Sequence, residues 1–280
     1  ILNEFINTKI EKTFKLCIYM DMVYEYQRPL YFQNIQKWAD LIFVFSDCWK
    51  QNLITMGLAA EKIAILPHGF DAELFQPMDT QVAKELMGFA PDDFLILNTN
   101  RNAYRKAHDI TIEAFLKFLK KQDYNKKIKL FLNMLQESSQ GYTILELIKV
   151  VCMKNAIDYE KVIMNHIFIR PSALYLEDEK LNTLYNASDI GLNTCLGEGF
   201  GLCNLEHACI GKPQIVSQVG ALADIFQPEY ATLIKPKAEL YLSPLTEDHQ
   251  GYIQVCTADD FAQALEKYYL QRELAVAHGT

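Results

Sequence analysis

Positive charge is scarce in this sequence: 27 Lys and Arg stand against 35 Asp and Glu, a formal net charge of -8. No basic field is available to displace counterions from a phosphate backbone, which argues against a nucleic-acid partner. No Cys-x-x-Cys pair occurs, and no Cys/His spacing suits a zinc site. The seven cysteines (Cys17, Cys48, Cys152, Cys195, Cys203, Cys209 and Cys256) are odd in number, and several lie inside apolar runs. They read as reduced, buried small hydrophobes, which points to the cytoplasm, either free or peripheral to a membrane. No apolar run reaches the roughly 18 residues of a membrane span, and no signal peptide is expected. Repeats and low-complexity segments are also missing. The chain opens at Ile1, and "ILNEFINTKIEK" reads as a mid-domain helix, so a piece of a longer protein is expected.

What is present is an ordinary globular composition, 50% hydrophobic and 22% charged, over 280 residues. Short β-rich runs alternate with amphipathic segments. "FKLCIYM" (14–20), "LIFVFS" (41–46) and "KIAILP" (62–67) predict strands, with helices over 30–39 and 48–56. "PHGFDAELFQPMDT" (67–80) has two prolines, a glycine and no periodicity, and reads as a linker. Beyond it the alternation resumes. "FLILNTN" (94–100), "IKLFLNM" (128–134), "KVIMNHIFI" (161–169), "DIGLNT" (189–194), "PQIVS" (213–217) and "ATLIK" (231–235) predict strands. Helices are expected near 107–121, 142–154, 178–187, 202–211 and 257–270. This pattern implies an α/β fold with doubly wound parallel sheets, in two parts divided near residue 70.

The stretch "DIGLNTCLGEGFGLCNLEHACIG" (189–211) carries the chemistry. Its glycines fall between a parallel strand and a helix N-terminus, where doubly wound sheets bind ligands. Free amides and the helix dipole favour an anion there. A dinucleotide fingerprint needs glycine where Leu202 stands, and Gly211-Lys212-Pro213 fails the phosphate-loop pattern. Glu198 would repel phosphate, but it suits a neutral polyol whose hydroxyls it accepts. Glu206, about a turn into the helix, can accept from a second diol such as ribose. Taken singly, each glutamate reads as a surface charge. Together, with the glycines and the strand before them, they suggest a loop gripping both ends of a nucleotide sugar.

"GEGFGLCNLEHACIGKPQIVS" resembles the Glu-x7-Glu signature of family 4 retaining glycosyltransferases with the GT-B fold. "NTNRNAYRKAHDITIEAF" resembles that family's Arg…Lys loop, and "AILPHGFD" its interdomain turn, with His68 in the Asn place. More loosely, "NRNAYRK…GEGFGLC" is similar to glycosyltransferases of large DNA viruses. The resemblance implies two Rossmann-like domains: residues 1–70, the last part of an acceptor-side domain, and 71–280, a nucleotide-sugar domain. It implies that Glu198 contacts the donor sugar, that Glu206 holds the ribose, and that Arg101 and Lys106 bind the diphosphate. Main-chain groups of Gly199, Phe200, Gly201, Leu202 and Cys203 would hold sugar and phosphates. Arg105 reads as a solvated neighbour, His68 as a turn residue tolerating positive φ, and His207 as a packed helix histidine. Tyr185 and "FIRPS" (168–172) are candidates for the base pocket.

The implied reaction moves a sugar from a UDP- or GDP-sugar to a glycan, lipid or protein acceptor, with retention and by front-face attack. No Asp-x-Asp pair occurs, so no metal and no cofactor is expected. One departure from the family is plain: its His-Asp pair is replaced by Met20-Asp21, which leaves Asp21 as the sugar-side contact. The alternatives are a non-catalytic nucleotide-sugar-binding module or an inactive fragment. A GT-B phosphorylase is disfavoured by the lack of a lysine site for pyridoxal phosphate.

Overall fold

A computed structural model describes residues 13–27, 29–171, 176–242 and 250–279. The helix expected over 1–12 lies outside these residues. The first part is a three-stranded parallel sheet of β1 (Cys17–Tyr19), β2 (Leu41–Val44) and β3 (Ile63–Ile65), in that order. Helix α1 (Pro29–Trp38) joins β1 to β2, and α2 (Asp47–Thr55) joins β2 to β3. Pro29 stands at the first helical position, where its missing N–H costs nothing. The central strand buries Ile42 and Val44 against Phe32, Ile35, Trp49 and Leu53.

The segment read as a linker ends where expected, at the start of a helix that the sequence reading did not contain. Asp79 caps α3 (Thr80–Leu86) by accepting from the amides of Gln81 and Val82, at 2.9 and 3.0 Å. The second sheet then runs through β4 (Phe94–Asn98), α4 (His108–Lys121), β5 (Ile128–Leu132), α5 (Ile144–Lys154), α6 (Tyr159–Asn165) and β6 (Ile167–Ile169). It continues with α7 (Asp178–Ala187), β7 (Ile190–Asn193), α8 (Leu202–Cys209), β8 (Gln214–Ser217), α9 (Leu222–Ile225) and β9 (Ala231–Ile234). All six strands are parallel, in the order β6-β5-β4-β7-β8-β9. Every residue of β4 is buried, as expected for a strand covered on both faces. One expected strand, 161–169, is mostly helix: Asp158 accepts from the Lys161 amide and starts α6, leaving only Ile167–Ile169 in the sheet.

A hairpin that the sequence reading did not contain follows β9. β10 (Ala238–Leu242) and β11 (Gly251–Val255) pair antiparallel, and their connecting residues 243–249 lie outside the described ones. The Tyr252 amide donates to Glu25 O at 2.9 Å, and the Gln254 amide to Leu196 O at 2.9 Å. The hairpin thus touches both parts of the chain. The chain ends with α10 (Ala258–Leu270), packed along α4, and α11 (Arg272–Gly279). Among the described residues no helix is long and apolar enough to cross a membrane.

From β4 the chain steps one way across the sheet, and from β7 the other. The carboxyl ends of these neighbouring strands therefore open a crevice at the switch point.

Candidate active site

Two loops enter this crevice: 99–107 after β4, and 194–201 after β7. The second is held tightly. The Trp49 indole N–H donates to Gly199 O at 2.8 Å, and the Ala221 amide to Glu198 O at 3.2 Å. Phe200 is buried in the core of the first sheet beside Ala221. Gly199 packs close against the first part: a Cβ there would meet the Asp21 carboxylate and press on Met22 O at 3.0 Å. Gly201 has φ +89°, which an L side chain rarely adopts, and it turns the chain into α8. The amides of Leu202 and Cys203, in the first turn of α8, have no partner inside the helix. Asp21, at the end of the first sheet, therefore faces the glycine loop directly.

The first loop makes a 3-10 turn, Tyr104–Lys106, and then takes a left-handed conformation at Ala107 (φ +47°). This turn sends Lys106 inward, where Nζ donates to Asn100 Oδ1 at 2.8 Å and pairs with Glu198 Oε2. Arg105 also turns inward. Its Nη1 donates to Gly197 O at 3.0 Å and lies 3.5 Å from Glu198 Oε1. The reading of Arg105 as a solvated neighbour is therefore wrong. Arg101 is exposed and, unlike Arg105 and Lys106, makes no ion pair with Glu198; its carbonyl accepts from His108 Nε2 at 3.1 Å. Glu198 itself is only 5% exposed. Burial pushes its carboxyl up, but Lys106 and Arg105 more than reverse this and hold it below the usual carboxylate range.

Glu206 sits on α8, half-buried, and its Oε2 accepts from the Tyr185 hydroxyl at 2.9 Å. Burial raises its carboxyl above the ordinary value, although the Tyr185 bond acts the other way. Tyr185 cannot stack on a base. Its ring lies between Phe75, 5.6 Å away, and His207, stacked at 4.9 Å, and it is 1% exposed. Its hydroxyl, donating to Oε2, holds the Glu206 carboxylate in place. His207 is buried as expected, with Nε2 2.7 Å from Ser188 Oγ. Of "FIRPS", Phe168 packs edge-on against Phe89 at 5.1 Å, and residue 172 lies outside the described ones.

His68 departs from its expected role. Its φ is not positive, and its ring packs against Phe45 at 4.3 Å and Phe200 at 5.1 Å. Cys203 Sγ lies 3.6 Å from Asn100 Oδ1, and Leu202 is exposed at the start of α8. All seven cysteines are free, but Cys17 and Cys209 are exposed rather than buried. Among the described residues no three His, Cys, Asp or Glu side chains gather to hold a metal ion. Two contributors escaped the sequence reading. Trp49 looks like any core aromatic, and Asn100 like any loop amide.

Comparison with known proteins matches residues 81–278 to the family model "Glycosyl transferases group 1". Among curated relatives, D-inositol 3-phosphate glycosyltransferase 2 of Catenulispora acidiphila is 24% identical over 186 residues, covering 66% of this chain and 42% of that protein. Mannosylfructose-phosphate synthase of Agrobacterium fabrum is 25% identical over 169 residues, covering 59% of this chain and 35% of that protein. The chain thus spans less than half the length of either. Among solved structures, Anabaena Alr3699/HepE in complex with UDP-glucose superposes with a TM-score of 0.71 at 14% identity, over 95% of this chain and 65% of that one. The two parallel sheets are those of a partial GT-B fold. With its family model spanning the whole second sheet and both glutamates, the chain belongs to the glycosyl transferases of group 1.

Proposed function

We propose that this chain is the donor-side part of a retaining glycosyltransferase, moving a sugar from a UDP- or GDP-sugar to a glycan, lipid or protein acceptor. The observation that carries the reading is Glu198, buried at the carboxyl end of β7 and held by Lys106 and Arg105 from the loop after β4. Residues 71–280 form the nucleotide-sugar domain and 1–70 the end of the acceptor-side domain, in a cytoplasmic protein, free or peripheral to a membrane. The neighbour of like fold crystallised with UDP-glucose supports a uridine donor.

In this reading the donor diphosphate lies at the N-terminus of α8 and draws Lys106 from Glu198. Arg101, exposed at the rim, closes over the phosphates. Glu198 then accepts from hydroxyls of the donor sugar, Glu206 from the ribose, and main-chain groups of Gly199 to Cys203 line the cleft. Asp21 borders the sugar from the acceptor side. A double displacement needs a carboxylate free to attack and a separate acid. Glu198 is instead tied to two cations, which suits positioning. The glycosidic C–O bond breaks with its electron pair passing to the diphosphate. The acceptor oxygen bonds to the anomeric carbon on the same face and gives its proton to a phosphate oxygen. Lys106, Arg101 and the helix start stabilise the leaving charge.

Calorimetric titration of UDP, GDP and their sugars tests this reading. Glu206→Gln is expected to weaken the free nucleoside diphosphate about tenfold or more, because one charge-assisted hydrogen bond contributes on the order of 1.5–3 kcal/mol. Glu198→Gln is expected to leave that affinity undiminished, since Lys106 no longer has to leave a carboxylate, but to lower turnover. Equal weakening of free diphosphate by both variants refutes the division of labour.

The cations at the cleft also imply that no divalent ion is needed to offset the diphosphate. Activity is expected to survive excess EDTA. Its complete loss, with recovery on adding Mg²⁺ or Mn²⁺, would overturn that assignment.

A further inference from the structure

Lys106 and Arg105 hold the same carboxylate by different means. Lys106 is a point charge on a flexible stem. Arg105 presents a rigid fork, and its Nη1 is also fixed by Gly197 O at 3.0 Å. The Glu198 side chain is 7% exposed, so once Lys106 leaves for a diphosphate it cannot recover its partner from water. A buried carboxylate stripped of its countercharge is strongly disfavoured and takes up a proton instead.

We propose that Arg105 is a positioning residue: it stays on Glu198 when Lys106 passes to the diphosphate, and so keeps the carboxylate ionised and aimed at the donor sugar. This rests on the proposed function. The other groups facing Glu198 cannot replace it. Asn193, from the end of β7, gives a neutral hydrogen bond. The thiols of Cys195 and Cys203 are pushed up by burial and are uncharged. Around Arg105, burial works against its charge, but Glu198, and more weakly Asp21 from beyond β1, favour it and hold it above the ordinary range. A loop with three cations thus divides the work: one at the rim, one that moves and one that stays.

The test is calorimetric titration of UDP and GDP into the full chain at pH 7, in two buffers of different ionisation enthalpy. The wild type, Arg105→Met and Arg105→Lys are compared, each with and without Glu198→Gln. Wild-type binding is expected to take up no net proton. Arg105→Met should bind diphosphate about tenfold or more weakly and take up roughly one proton, because burial raises an unpaired carboxyl by as much as about 3–5 pH units. Arg105→Lys restores the charge and should abolish the uptake, which a mere packing role would not achieve. With Glu198→Gln in place, Arg105→Met should change affinity by less than about twofold, since its effect acts through that carboxylate. Equal weakening in both backgrounds would make Arg105 a phosphate contact and overturn the inference, as would unchanged affinity without proton uptake. If the wild type binds neither UDP nor GDP, the functional reading itself has failed. Binding that is indifferent to Arg105 overturns the inference alone.

Discussion

Lys106→Ala is expected to lower kcat by about 10²-fold or more, the cost of removing one donor to a developing anion. Lys106 is buried, and its Nζ lies between Asn100 and Glu198 at the carboxyl ends of β4 and β7. As the glycosidic bond breaks, charge moves onto the diphosphate, and a contact that strengthens in this way appears in kcat rather than only in KM. The control is Lys121→Ala, on the far end of α4, where exposed Lys121 pairs with half-buried Glu266 at 2.9 Å on the surface. An exposed pair of that kind contributes about 0–1 kcal/mol, so this variant should behave as wild type. Steady-state kinetics with the donor varied decides the matter. A raised KM with intact kcat would show that Lys106 only holds the ground state.

Acid is expected to destabilise the fold well before the carboxylates titrate. His108 and His207 are almost fully buried, and burial, helped by Lys106 and Lys212 respectively, lowers their pKa values to about 4 and about 3, against the carbonyls of Arg101 and Tyr185. Unfolded, each imidazole titrates near about 6.5. Below that value the unfolded chain binds more protons than the folded one, so stability falls as pH drops toward the folded pKa values. The slope approaches about 1.4 kcal/mol per pH unit for each histidine. Above about pH 6.5 these groups add no pH dependence. Glu198, held low, adds to the loss only in the carboxylate range, where raised Glu206 acts in the opposite sense. His108 shows why charging is costly: its Nδ1 is buried without a hydrogen-bond partner. Urea midpoints between pH 7 and 5 measure the effect. His207→Asn should remove one histidine's share of the slope, up to about 1.4 kcal/mol per pH unit, whatever it does to stability at pH 7; His166 and His278, also lowered by burial, keep theirs. A midpoint unchanged over that range would show that the buried imidazoles take up protons in place.

The parallel strands were legible because both their faces are covered, so "FLILN" and "QIVS" carry consecutive apolar residues at 94–97 and 215–216, with every residue of both strands buried. The same rule misled at 161–169. Val162-Ile163-Met164 looks like such a run, yet Val162 is buried while Met164 is 76% exposed, as on a one-sided helix capped by Asp158. The hairpin was invisible because "AELYL" is largely exposed, and its support comes from distant partners, Glu25 and Leu196. That the glycines lie between a strand and a helix, with Glu198 in the loop and Glu206 on the helix, could be read from the sequence. Which of three neighbouring cations points inward could not. That depends on a 3-10 turn closed by a left-handed alanine, a conformation for which alanine's own preferences give no warning.

The hairpin also bears on how the chain is made. Its contact with Glu25 joins residues 227 positions apart, the difference between 252 and 25. At about 5–20 residues per second, a ribosome needs roughly 10–45 s to travel that distance. For all of that time the segment after β1 has emerged while its partner has not yet been synthesised. The glycine loop and Phe200, which fill the core of the first sheet, arrive only shortly before the hairpin. The first sheet thus cannot complete its packing as it emerges. It must wait, with Trp49 and Phe45 uncovered, for the second to be nearly finished, and this interval is when a nascent chain would most need a chaperone.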